Sequence, residues 1–119
     1  MGRSGREGDL VILAFVQGDI VEINYGSPVG HEPKGKRPAL VVSKDLFNDS
    51  TSMTIVCPIT STNNGFYLHE PIPAGHAIFG FIVLEQLRAL DLEARQAEKI
   101  DHLNPKEMTP VLTCLKSFF

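Results

Sequence analysis

Tryptophan is absent, and only two cysteines, Cys57 and Cys114, occur in 119 residues. Set far apart in apolar stretches, they form neither a disulfide framework nor a CxxC metal pair. They read as small buried hydrophobes of a protein from a reducing compartment. Surplus positive charge is also missing: 11 Lys and Arg stand against 14 Asp and Glu, for a net charge of −3. That excludes a chain that coats itself with nucleic acid, but not a local basic site. The one candidate targeting segment, Leu10 to Val16, is too short to span a bilayer. Gln17-Gly18-Asp19 follows where a signal peptide would need a small-residue cleavage site. The expectation is a cytoplasmic protein with no membrane association. Residues 1–16 are expected to form an N-terminal tail, partly disordered, ahead of a single domain over 17–119.

Enzyme motifs of the commonest kinds are missing too. Gly30-x-x-x-x-Gly35-Lys36 nearly spells a phosphate-binding P-loop, but Arg37 stands where the magnesium-binding Ser or Thr belongs. A strand follows where the motif needs a helix, and Pro33 interrupts the cradle. His31, His69, His76 and His102 lack HExxH or i, i+4 spacing, so no zinc site is expected, nor any other metal or cofactor. His69, His76 and His102 read as surface or turn histidines.

What is present is a locally basic loop running straight into an apolar strand. From His31 to Lys44 the chain carries Lys34, Lys36, Arg37 and Lys44 against Glu32 alone, while Glu85 to Glu107 leans acidic. Pro38 sets its own φ and drives Arg37 into extended backbone. Arg37 is therefore a cation held at the root of a flexible loop. Its guanidinium is always charged and forked, which suits a phosphate.

The remaining elements are short. Gly18 to Tyr25 alternates as a half-buried strand does, and Pro38 to Ser43 reads as a strand buried on both faces. Ser43 to Asn48 reads as a capped helical turn, closed by Asn48-Asp49-Ser50. Met53 to Ile59 is a strand ended by a polar turn cluster. Phe66 to Ile72 is an edge strand, confined there by Pro71. Ala77 to Leu87 is a long β-favouring run with a bend at Gly80. Asp91 to Ile100 looks helical by propensity, the alternative being a turn and a strand at Lys99 to Leu103. Asn104, Pro105 and Glu107 announce a terminal helix with a capping box. Pro110 inside it costs about 3 kcal/mol and implies a kink or a later start. Short strands, frequent turns and one terminal helix imply a mainly β (α+β) domain built as a strongly bent sheet or partial barrel.

Several polar residues sit where chemistry is possible. Thr60 and Ser61 end an apolar strand that can neighbour Arg37, and their hydroxyls either donate to a phosphate or cap the turn. Glu85, Gln86 and Arg88 interrupt an apolar run. As a strand, that run puts Glu85 and Leu87 on one face and Gln86 and Arg88 on the other. His31 shares the loop with Arg37 and titrates near neutrality.

In order and spacing, a set of short pieces resembles the MazF/PemK family of toxin endoribonucleases. The pieces are Gly18-Asp19-Ile20, Gly30-His31-Glu32, Arg37-Pro38-Ala39-Leu40-Val41, Phe47-Asn48, Pro58-Ile59-Thr60, Glu85-Gln86-Leu87-Arg88 and Asp91-Leu92-x-Ala94-Arg95. The Gly-His-Glu loop is most similar to the PemK/Kid and ChpB branch. The resemblance implies a small SH3-like barrel of the CcdB/MazF type with a C-terminal helix, paired as a homodimer. It implies metal-independent cleavage of single-stranded RNA at short sequences, and neutralisation by a MazE/PemI-like antitoxin. Arg37 and Thr60 fall on the family's catalytic arginine and threonine. His31 falls on a histidine implicated in the PemK branch, and Glu85 where that branch carries an acidic catalytic residue. Val83 stands where the branch can present an arginine. The reaction implied is attack of the RNA 2′-OH on its own phosphorus, leaving 2′,3′-cyclic phosphate and 5′-OH ends. Lys34, Lys36, Lys44 and Ser61 would hold the RNA backbone and Gln86 a base edge. Two other functions fit such a barrel: a CcdB-like gyrase-inhibiting toxin and a non-catalytic RNA-binding barrel.

Overall fold

A computed structural model describes residues 15–26, 35–63, 65 and 68–119. Among them, β1 (Asp19–Asn24) and β2 (Lys36–Val41) pair antiparallel, with Ile20 opposite Leu40 and Ile23 opposite Arg37. A short helix, α1 (Asp45–Ser50), leads to β3 (Thr54–Thr60). Strands β4 (His69–Pro71) and β5 (Phe81–Val83) follow, then one 3-10 turn (Leu84–Gln86) and β6 (Arg88–Leu90). The chain ends with β7 (Glu98–His102) and α2 (Pro105–Lys116). The sheet runs β4-β5-β3-β2-β1-β7, and β6 pairs with the first half of β3. The second half of β3 pairs with β5 instead, so the sheet splits and bends along β3.

Both faces of the bent sheet are covered. Ile20, Leu40, Cys57, Ile59, Ile82 and Leu84 pack against Met108, Val111 and Leu115 of α2. On the opposite face Val21, Ile23, Tyr25, Ala39, Val41 and Val56 meet Leu90 and Leu92. β2 is thus buried on both faces over Ala39–Val41, as its composition implies. β1 departs from the half-buried expectation: Ile20 and Val21, neighbours on opposite faces, are both fully buried.

Helix α2 starts as its sequence signals. The Asn104 side chain accepts from Glu107 N–H at 2.8 Å, and the Glu107 carboxylate accepts from Asn104 N–H at 3.0 Å. Pro110 neither ends the helix nor delays its start. It lies on the exposed side, where water can reach the Lys106 carbonyl it leaves unbonded.

Three local expectations are corrected. For Asp91 to Ile100 the helix gives way to the stated alternative of a turn and a strand: the chain turns through residues 92–96 and enters β7. Leu92 and Ala97 are drawn onto the second core face, and that burial overrides a modest propensity. Ala77 to Leu87 is not one strand, because Leu84 turns into the core and converts its neighbours to a 3-10 turn. The alternation assigned to Glu85 through Arg88 therefore does not apply. At α1, Ser43 is not the cap and Asn48 does not close the turn. Asn48 is buried within the helix, bonded to the Ser43 hydroxyl, and donates to Phe15 C=O at 2.8 Å.

The β4–β5 connection is tied to the far side of the molecule by one histidine. His76 Nδ1 meets Asp101 of β7 at 2.9 Å, and Nε2 meets Glu107 of α2 at 2.9 Å. With both ring nitrogens facing carboxylates, both donate, which requires the imidazolium. The Glu107 and Asp101 hydrogen bonds raise the His76 pKa above its ordinary value. Backbone N–H groups of Ala77 and His102, and His76 itself, lower that of Asp101. His76 and Asn104 lower that of Glu107. A raised histidine stabilises the fold fully below its ordinary value of 6.5, and this is lost as pH rises through the folded value. The carboxylates contribute above their ordinary 3.8 and 4.5 and lose their contribution as pH falls through the lowered values. The clamp is therefore strongest between about pH 4.5 and 6.5. Thermal melts of wild type and His76→Gln should differ most near about pH 5.5 and converge by about pH 9. A gap that is constant with pH would show that the clamp carries no charge.

Candidate active site

Four short-range features position Arg37. Tyr25 N–H donates to Gly35 C=O at 2.8 Å, and Gly35 N–H to Gly26 C=O at 3.0 Å. Gly35, at φ +67°, supplies the left-handed residue that this junction needs. The Arg95 guanidinium donates to the carbonyls of Asn24 and Tyr25, both at 3.2 Å. The base of the β1–β2 connection is closed, and Arg37 stands two residues inside it, exposed, on a strand whose continuation is core.

Strand register carries the site across the sheet. Ala39 lies opposite Pro58, so the same register continued by two residues sets Arg37 across from Thr60. Thr60 in turn faces Phe81 on β5. Residues directly opposite in an antiparallel pair share a face. Arg37, Thr60 and Phe81 therefore present one face, which is also that of Ala39, Val56 and Arg88. Close approach of β5 to β3 depends on Gly80, where a Cβ would come within 2.7 Å of the Thr60 carbonyl. The Thr60 hydroxyl oxygen accepts from Thr62 N–H at 3.2 Å, which leaves its own proton to donate. Both turn-capping and donation are thus open to the same hydroxyl.

Glu85 projects from the 3-10 turn, which packs on β3. Its carboxylate is 3.1 Å from His69 Nε2, and its charge helps push the buried Cys57 thiol up to about 12, burial being the larger cause. His69 lies directly opposite Val83, the position where the resemblance allows an arginine. His69 and His76, read from sequence as surface or turn residues, have side chains only 8% and 11% exposed, and both are hydrogen-bonded to carboxylates. Tyr25 is a further residue the sequence reading did not single out. Its phenol is buried without a hydrogen-bond partner among the described residues, close enough to Arg88 and Arg95 to feel their charge. Burial pushes it up to about 12. The only sequence signal for it is an aromatic at the end of an alternating strand beside a Gly-rich loop.

The other expected residues are spread more widely. Lys36 neighbours Arg37 and points to the opposite face, paired with Asn24. Ser61 is exposed just beyond Thr60, and Gln86 is half-buried beside Glu85. Lys44 sits at the other end of β2, at the start of α1, grouped with Gln17, Asp45 and His102. His31 and Lys34 lie outside the described residues, as does the tail over 1–14.

A small antiparallel barrel, closed by a terminal helix, here carries an arginine and a threonine at the open end of adjacent strands with a carboxylate nearby. A forked cation beside a hydroxyl has the chemistry to contact a phosphate. A model of the family described as PemK-like, MazF-like toxin of type II toxin–antitoxin system matches residues 16–119. The chain belongs to this family. It is 39% identical over 92 residues to the endoribonuclease toxin ChpB of Escherichia coli K12, covering 72% of this chain and 78% of ChpB. It is 30% identical over 91 residues to the endoribonuclease toxin MazF of the same strain, covering 76% of this chain and 81% of MazF. The fold superposes on MazF from Deinococcus radiodurans with a TM-score of 0.81 at 30% identity, over 90% of this chain and 97% of that one. It also superposes on a MazE–MazF complex from the same organism with a TM-score of 0.79 at 30% identity, over 90% of this chain and 96% of that one. The expected barrel-like α+β fold is borne out. Among the described residues, no helix is long and apolar enough to cross a membrane.

Proposed function

We propose that this chain is the RNA-cleaving toxin of a type II toxin–antitoxin module, acting in the cytoplasm on single-stranded mRNA. The observation that carries this reading is the shared register of Arg37 and Thr60, which sets a permanent cation and a hydroxyl proton side by side at the solvent-reaching ends of β2 and β3. RNA contains its own nucleophile, so the protein needs only to move protons and neutralise charge. The 2′-oxygen attacks the adjacent phosphorus, the phosphorane gains negative charge, and the 5′-oxygen leaves. Arg37 neutralises that charge and Thr60 donates to a phosphorane oxygen. Arginine stays protonated at neutral pH, so proton acceptance falls to a carboxylate or a histidine. Glu85 is the acceptor within the described part of the site. Ser61 and Gln86 line the approaches for backbone and base, and Lys36, on the other face of β2, contributes only positive charge at the strand's mouth.

A MazE/PemI-like antitoxin is one partner this reading assigns, since a superposed relative is seen as a MazE–MazF complex; a second copy of the chain is the other, on the family resemblance alone. An acidic antitoxin segment suits a face carrying Arg37 and Arg88.

Purified protein in excess EDTA should cut a mixed-sequence single-stranded RNA, and mass spectrometry of the fragments should find 2′,3′-cyclic phosphate and 5′-hydroxyl ends. Fragments with 5′-phosphate ends, or cleavage abolished by the chelator, would overturn this chemistry. Sequencing the same ends gives the recognition motif.

A further inference from the structure

Glu85 is the middle residue of a single 3-10 turn, Leu84–Gln86. Its side chain is 35% exposed, so water competes for its oxygens. A carboxylate that must accept one particular proton in that setting needs something to aim it.

His69 provides that support. It comes from β4, the edge strand, and its ring is largely buried while the Glu85 carboxylate reaches solvent. His69 is opposite Val83, and the same β3–β5 register continued by one residue sets Val83 across from Pro58. By alternation His69 therefore shares the sheet face of Pro58 and Thr60. Its Nε2 lies 3.1 Å from Glu85 Oε2. An ionised carboxylate only accepts, so Nε2 carries the hydrogen whatever the charge of the ring. One carboxylate oxygen is thereby occupied, and the other is left for substrate.

We infer that His69 is a positioning residue of the nuclease site: its Nε2–H holds Oε2 of Glu85 so that Oε1 takes the 2′-OH proton of the RNA. This rests on the nuclease reading above. In the step, the 2′ O–H bond breaks and its proton passes to Oε1, the 2′ O–P bond forms, and the P–O5′ bond breaks. The departing oxygen takes a proton from water. His69 touches no reacting atom and acts through Glu85. Loss of His69 should therefore leave the Glu85 carboxylate in place but unaimed, a loss felt in the chemical step and not in RNA binding.

The test is kcat and KM, measured separately, for full-length wild type, His69→Ala and His69→Gln on one RNA whose cut site has been mapped. His69→Ala should lower kcat about tenfold at saturating RNA and leave KM within about twofold, because aim is lost but substrate contacts are not. Glutamine offers an N–H of similar reach, so His69→Gln should return kcat towards wild type. In a Glu85→Gln background, His69→Ala should cost nothing further. Thermal melts of each variant separate lost fold from lost positioning. An unchanged kcat in folded His69→Ala, a loss that His69→Gln does not recover, or a His69→Ala loss that persists in the Glu85→Gln background would overturn the assignment while leaving the nuclease intact. Wild type that cuts no RNA would overturn both.

Discussion

Arg37→Ala loses about 10²- to 10³-fold in kcat/KM on single-stranded RNA, with its melting temperature close to wild type. The rate term is the removal of one electrostatic contact to a transition state whose charge exceeds that of the ground state. Unchanged stability follows from position. Arg37 is exposed at the start of β2, and the strand is anchored beyond it by fully buried Ala39, Leu40 and Val41. Its backbone pairing with Ile23 does not depend on the side chain. Arg37→Lys tests the shape of the cation: a point charge should recover only part of the loss, because it lacks the planar fork. Activity within about threefold of wild type for Arg37→Ala would place the phosphate elsewhere.

Gly18→Ala is the substitution expected to damage the fold most for its size. Gly18 is where β2, β1 and β7 meet. Its N–H donates to Val41 C=O at 2.9 Å, and its C=O accepts from Leu103 N–H at 2.8 Å. Its φ is +100°, and a Cβ would sit 2.4 Å from the Leu103 carbonyl oxygen. A backbone oxygen there cannot swing aside as a flexible side-chain end can. Left-handed strain of about 1–3 kcal/mol and a comparable overpacking cost combine. Together they should lower the melting temperature by on the order of 10 °C for a domain of this size. The loss should spread through the domain, since the closure joins the strand bearing Arg37 to the helix-bearing end. A shift of under about 2 °C would show that the three strands do not close through this glycine.

Where local chemistry governs, the sequence was a sufficient guide. The capping box of Asn104 and Glu107, the apolar run of β2 and the edge placement of the Pro71 strand follow from side-chain groups within a few residues of each other. Arg37 was legible for the same reason, because Pro38 and the strand beyond it dictate its backbone. Non-local burial was not legible. Asp91 to Ile100 has helical propensity, yet Leu92 is claimed by a core built from residues at positions 21 to 56. Leu84 likewise breaks an apolar run because α2, more than twenty residues later, supplies its packing. The histidines failed in the same way. Nothing near His69 in sequence announces Glu85, and nothing near His76 announces Asp101 and Glu107. Those partners are fixed by strand register and helix docking, which a one-dimensional reading reaches only when the topology is already in hand.

Arg37 is assigned to the transition state rather than to holding RNA, and that division can be measured in one experiment. Wild type and Arg37→Ala are compared for affinity towards an RNA with a 2′-deoxy residue at the mapped cut site, and for single-turnover rate on the cleavable RNA at saturation. The account predicts affinities within about tenfold and a rate loss of at least about 10²-fold. The reverse pattern, a large loss of affinity with an unchanged saturated rate, would contradict it.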